Sequence, residues 1–159
     1  PEHLRRFILG ETDSEIIFYY LLSKISECSD LSSTSIDLNQ LYEKISIGIQ
    51  EIIDIIGECT NEKVCNREDK NYLSFIITNG PSMLAYNGGK KLFYSTYKTK
   101  CSERDTCSSF TEACEHPVKN TPINHLIFSS EPISNENIWK PVEYEQFIGA
   151  GPDMMLRIF

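Results

Sequence analysis

GETDSEIIFYYLLSKIS, residues 10–26, joins a helix-start signal directly to a dense apolar run. Thr12 and Glu15 have the S/T-x-x-E spacing of a capping box, in which each side chain satisfies an orphan backbone N–H of the first turn. That leaves Asp13 without a role in the cap. A carboxylate at a helix mouth is favoured by the dipole and stays ionised, so Asp13 reads either as a dipole-matched first-turn residue or as a holder of an ammonium group. The helix is expected from about Asp13 to Ser26. Its apolar residues, Ile16, Ile17, Phe18, Leu21, Leu22 and Ile25, lie nearly all round it, which predicts burial between layers.

Working outward, the polar loop CSDLSSTSID separates this helix from a second one. There Leu38, Leu41, Ile45, Ile49, Ile52 and Ile56 recur at spacings of three and four, a single apolar stripe on a polar helix. Asp37 and Gln40 have cap-box spacing, and Gly57 marks the end. CTNEKVCNREDKN reads as loop. From Asn71 the pattern becomes β: LSFIIT, then Ser82 to Tyr86, then LFYSTY, with Asn79-Gly80-Pro81 and Asn87-Gly88-Gly89 as turns. Two helices followed by a meander of strands imply an α+β fold, a helical layer on antiparallel sheet.

The chain has 159 residues, 40% of them hydrophobic, which is enough for one domain that buries roughly 70% of its unfolded surface. A formal charge of −8 argues against a nucleic-acid partner. Lys90, Lys91, Lys98 and Lys100 surround one strand among acidic residues and read as a solvated face. The longest apolar stretch, Ile16 to Leu22, is far below the roughly 20 residues of a membrane span. No membrane partner is expected, and no signal peptide or lipidation motif is visible.

Four segments in order carry more information than any one alone: GETDSE at 10–15, TNG at 78–80, LFYS at 92–95 and SSEP at 129–132, followed by Trp139. In this order they resemble the class II glutamine amidotransferase domain, an N-terminal-nucleophile hydrolase. The likeness is to its stand-alone branch of γ-glutamyl hydrolases and runs from Phe7 to Phe159. It implies an αββα sandwich, to which this chain contributes one helix layer and strands of both sheets. It also implies that Asp13 binds the α-amino group of a glutamine or γ-glutamyl substrate, which distinguishes a free γ-glutamyl head from an internal glutamine. Glu131, the second carboxylate at a strand end, reads as structural. The partners implied are a glutamine or γ-glutamyl small molecule and, in an ammonia-donating version, a synthetase or hydrolase protein. No cofactor is implied, and the compartment implied is cytoplasmic.

The resemblance assigns catalysis to a cysteine at position one, whose own α-amino group is the general base. Here position one is Pro1. The substrate-carboxylate arginine and the Asn-Gly oxyanion pair also precede the TDSE helix in that family. Arg5 and Arg6 are too close to the helix to be that arginine. The expectation is therefore the C-terminal portion of a single amidotransferase-like domain spanning 1–159, inactive by itself. A rival of a different class is a catalytically empty binding or scaffold domain that keeps Asp13 only as a cap or as an amino-acid ligand.

Residues 28–35 and the segment 98–122 are not explained by the likeness, and the latter is expected to be a cysteine-bearing insertion. Cys101, Cys107 and Cys114 occur as C-x5-C-x6-C with His116 following. Zinc fingers bring two ligands within two to four residues, which these do not, so no metal site is expected. The six cysteines leave three readings open: reduced thiols with at most a local clip, disulfides, or a cysteine-stabilised interaction module. His3, His116 and His125 show no hydrolase signature, and His125, opening an apolar strand, reads as a core-edge histidine.

Overall fold

Helix α2 (Asp13–Ile25) begins where the cap signal stands, but the cap is built differently from a reciprocal box. Thr12 Oγ1 accepts from the Glu15 N–H at 3.4 Å. Glu15 reaches past the Thr12 N–H and accepts from Leu9 N (3.0 Å) and Gly10 N (2.7 Å). The carboxylate thus folds the approaching chain back over the helix start, and charge-assisted bonds of this kind are the stronger ones. A short helix α1 (Glu2–Arg5), not anticipated from the sequence, precedes it. The computed structural model describes residues 2–34, 36–60, 71–133 and 135–159.

These residues form two compact units, one ending at Glu58 and the other beginning at Cys59. In the first, α2 packs on α3 (Leu38–Ile56), whose start is capped by Asp37 Oδ1 accepting from Asn39 N (2.9 Å) and Gln40 N (3.1 Å). Gly57, at φ 84°, closes it. The two helices approach closely at Gly48, where an added Cβ would lie 2.9 Å from Leu21 Cδ2. Beside that contact Glu51 takes the Tyr20 hydroxyl and the Lys24 ammonium, the latter at 2.7 Å. The all-round burial expected for α2 does not hold. Leu21 and Ile25 are buried, whereas Ile16 is 50% and Phe18 44% exposed. The 3.6-residue period offers only one stripe to α3, and α1 covers little of the rest.

The second unit holds β1 (Phe75–Thr78), β2 (Met83–Tyr86), β3 (Phe93–Ser95), β4 (Ile127–Ser129), β5 (Lys140–Pro141), β6 (Phe147–Ala150) and β7 (Leu156–Ile158). All pairings are antiparallel, in a four-stranded sheet ordered β1-β2-β6-β7 and a three-stranded sheet ordered β4-β3-β5. Two helices followed by antiparallel strands are as expected, but the strands do not run as a simple meander, because β2 pairs with β6. Register places Ala85 beside Ile148, and these meet Leu92, Tyr94 and Val142 in one core contributed by both sheets. On the opposite face of the larger sheet Phe75, Tyr86 and Phe147 form an aromatic row, with ring centroids 5.8 and 4.4 Å apart. Burial pushes the Tyr86 phenol far up, so it remains a neutral core group.

Turns carry the strand geometry. Asn79 Oδ1 accepts from Ser82 N, and Thr78 Oγ1 donates to Ser82 O, which closes the TNGPS hairpin with Gly80 at φ 96°. Gly89 is obligatory in a stronger sense, since at φ 115° its missing Cβ would stand 2.2 Å from Thr60 O.

Candidate functional site

Asp13 is the first residue of α2 and is exposed. Thr12 and Glu15 carry the cap, so its carboxylate is engaged only by its neighbour. Oδ1 accepts from Ser14 N (2.7 Å) and from Ser14 Oγ (3.3 Å). Among the described residues Oδ2 has no hydrogen-bond partner and no cation pairs with Asp13. An exposed carboxylate edge at the positive end of a helix, held in orientation from one side, is suited to accept an ammonium.

One turn further along α2 a groove of about 420 Å³ opens between α1 and α2, lined by Leu4, Arg5, Ile8, Ile16, Tyr19 and Tyr20 among others. Ile16, Tyr20 and Ser23 follow Asp13 at three, seven and ten residues, so the aspartate and the α2 wall of the groove share one helical face. Ser23 also lines it, so its walls mix aliphatic side chains with the Tyr19, Tyr20 and Ser23 hydroxyl-bearing residues and Arg5, which has no carboxylate partner among the described residues. Arg6 lies instead over the Phe7 ring at 4.8 Å, and Phe7 stacks on Tyr19. The helical turn at 2–5, which the sequence did not signal, is what brings Arg5 to this groove.

The other candidates lie in the second unit. Glu131 is exposed just past β4, its backbone N–H donating to Ser129 Oγ (3.3 Å). His125 is half-buried ahead of β4, with Nε2 enclosed and without a hydrogen-bond partner among the described residues. Burial, and secondarily Lys98, pushes its pKa below the ordinary value. Trp139 is partly buried, with its indole N–H enclosed.

The 98–122 segment is braced by one carboxylate. Glu115 accepts from Cys101 N (2.8 Å) and from Arg104 (2.9 Å), while Asn124 Nδ2 donates to Cys114 Sγ (3.1 Å). Cys28, Cys59, Cys101, Cys107 and Cys114 are free thiols, and Cys65 lies outside the described residues. Among the described residues no three His, Cys, Asp or Glu side chains are grouped to hold a metal ion. No described helix is long and apolar enough to cross a membrane.

Compared with protein-family models, with curated proteins and with solved structures, the chain matches none.

Proposed function

We propose that this chain is the α-amino-recognising, C-terminal part of a γ-glutamyl amide hydrolase of the class II glutamine amidotransferase type. The observation that carries the reading is the free Oδ2 edge of Asp13 at the start of α2, in a segment where the cap is made by its neighbours. Two further features support it. The SSEP motif ends a strand and the TNG motif forms a hairpin turn, and two antiparallel sheets share one core, as an αββα sandwich requires. In the reaction implied by the resemblance, a cysteine thiol at the N-terminus of the complete polypeptide attacks the γ-carbonyl. The S–C bond forms as the C–N bond breaks, the leaving amine takes the proton, and water then displaces the thiol to release glutamate. Asp13 contributes binding and not chemistry: it fixes the α-ammonium, so the γ-carbonyl is presented at one distance from that anchor.

The test is hydrolysis of L-glutamine and of γ-glutamyl peptides by the natural polypeptide that carries this chain, before and after Asp13→Asn. Loss of a charge-assisted contact worth about 1.5–3 kcal/mol should raise KM by about tenfold or more, with the fold unchanged by circular dichroism. An unchanged KM reduces Asp13 to a first-turn residue, and absence of any γ-glutamyl hydrolysis overturns the reading.

A further inference from the structure

The loop from Cys101 to Cys114 is closed at its neck by two hydrogen bonds. Lys98 N donates to Cys114 O at 2.8 Å, and Cys101 N donates to Glu115 Oε1 at 2.8 Å. Cys101 and Cys114 therefore flank the neck from opposite sides. Inside the loop Arg104 pairs with Glu115 at 2.9 Å and lies 5.2 Å from the Phe110 ring centroid. From beyond it, Asn124 Nδ2 donates to Ser109 O (3.0 Å) and to Cys114 Sγ (3.1 Å). Each of these contacts is one that water can replace. Both thiols are free, and their surroundings are polar. Cys114 is partly accessible with an N–H donated to its sulfur. Cys101 is 8% exposed, and the Lys98 side chain lies within electrostatic reach of it: Glu136 first, and Cys101 after it, push the Lys98 pKa above its ordinary value. A donor or a cation beside the sulfur is the setting in which a cysteine reacts as a nucleophile.

We propose that Cys101 and Cys114 form a reversible redox pair, oxidised by a low-molecular-weight disulfide of the glutathione class, and that the bond between them locks the neck of the loop. The accessible Cys114 thiolate attacks the small disulfide, so a mixed disulfide forms as one small thiolate leaves. Cys101 then attacks Cys114 Sγ and displaces the second. The two cysteines lose their protons and two electrons in all, and two small thiols are produced. Cys107 is excluded by position. Arg104 N bonds Cys101 O and Cys107 N bonds Glu103 O, so successive turns separate the two residues. At about 1.5 Å of rise per residue that puts them roughly 9 Å apart, whereas a disulfide needs Cα atoms within about 7 Å. Cys114 and its neighbour Glu115 are instead bonded to the stretch that carries Cys101. Oxidation exchanges the Asn124–Cys114 contact for a covalent one, while Asn124 keeps Ser109 O. Reversible pairs of this kind are the ones that occur where thiols are otherwise kept reduced. The proposal is independent of the amidohydrolase reading.

The experiment incubates the natural polypeptide carrying this chain with oxidised glutathione, blocks the remaining thiols with iodoacetamide and maps the products by peptide mass. A Cys101–Cys114 cross-link that dithiothreitol removes is expected, with Cys107 outside it. Cys101→Ser should trap glutathione on Cys114, because the resolving thiol is gone, whereas Cys114→Ser should leave Cys101 unmodified. A cross-link that includes Cys107, or glutathione on separate cysteines with no cross-link in the unmodified protein, overturns the proposal without recourse to any variant. The lock has its own readout. Trypsin cleavage after Arg104, which is exposed, should slow about tenfold or more in the oxidised protein, since a closed neck restricts the opening that cleavage needs, and should recover on reduction. Equal cleavage of the cross-linked and reduced forms overturns the lock.

Discussion

Asn87 joins segments that the sequence keeps far apart. Its Nδ2 donates to Val142 O at 2.7 Å and its Oδ1 accepts from Gly89 N at 3.0 Å, while its backbone pairs with Glu145 and Gln146. Asn87→Ala orphans a buried carbonyl and a buried N–H, each costing about 1–3 kcal/mol, so a loss of about 2–4 kcal/mol is expected in urea unfolding followed by near-ultraviolet circular dichroism. A loss below about 1 kcal/mol would mean that water replaces both bonds. The asparagine-glycine-glycine turn was legible; its partner 55 residues away was not, because nothing local encodes a long-range acceptor. His125 was read as a core-edge histidine, and burial followed by Lys98 depresses its pKa. The folded chain therefore holds that proton more weakly than the unfolded chain. The stability involved is complete above the unfolded value near 6.5 and is lost as pH falls from there through the lower folded value. The urea midpoint should drop between about pH 7 and 5.5, and His125→Gln should flatten the drop. The same slope in both proteins would sink this assignment.

At the scale of elements, α2 and α3 were legible to within a residue, whereas the short α1 and the strand pairing were not. α2 and α3 start where the cap signals stand and α3 ends at its glycine, because those signals are local. β6 is short and pairs with β2, far back along the chain, as well as with the neighbouring β7, so no window of sequence reveals its place in the sheet. The face of α2 was misjudged for a related reason: hydrophobicity records what could be buried, not what is present to cover it, and Ile16 and Phe18 stay exposed. Gly48 is the residue that decides how closely α2 meets α3. Alanine there gains up to about 1 kcal/mol of helix propensity. It also drives a Cβ to 2.9 Å from Leu21 Cδ2 and 3.3 Å from Lys24 Cγ, and overpacking of this kind costs about 1–3 kcal/mol. The steric term should win, giving a net loss of about 1 kcal/mol in thermal unfolding, and a rise in Tm would show that Leu21 rotates away without cost.

Across the whole chain, composition spoke only to broad classes: acidity and a moderate apolar fraction weigh against nucleic acid and a membrane-spanning helix but are silent on how the strands divide between two sheets. The cysteines make burial along the chain measurable, because the five described thiols lie at different depths. Cys107 is exposed in the 98–122 segment, Cys28 and Cys114 are intermediate, and Cys101 and Cys59 are buried. Only a thiolate attacks an alkylating agent, so burial protects twice, by excluding the reagent and by keeping the proton on sulfur. Burial, with Glu145 adding to it, pushes the Cys59 thiol up, and the Cys59 carbonyl is held by the Tyr144 hydroxyl at 2.8 Å. Pulsed iodoacetamide labelling read by peptide mass should therefore modify Cys107 first. Cys59 should react only at the rate at which the β-sheet unit opens, and in rising urea its modification should follow the unfolding curve measured by tryptophan fluorescence, since Trp139 is the only tryptophan and lies in the same unit. If Cys59 reacts in the native protein as fast as Cys107, the segment from Cys59 to Thr60 detaches from Tyr144 and Gly89 without global unfolding, and the core of the second unit begins only at Asn71.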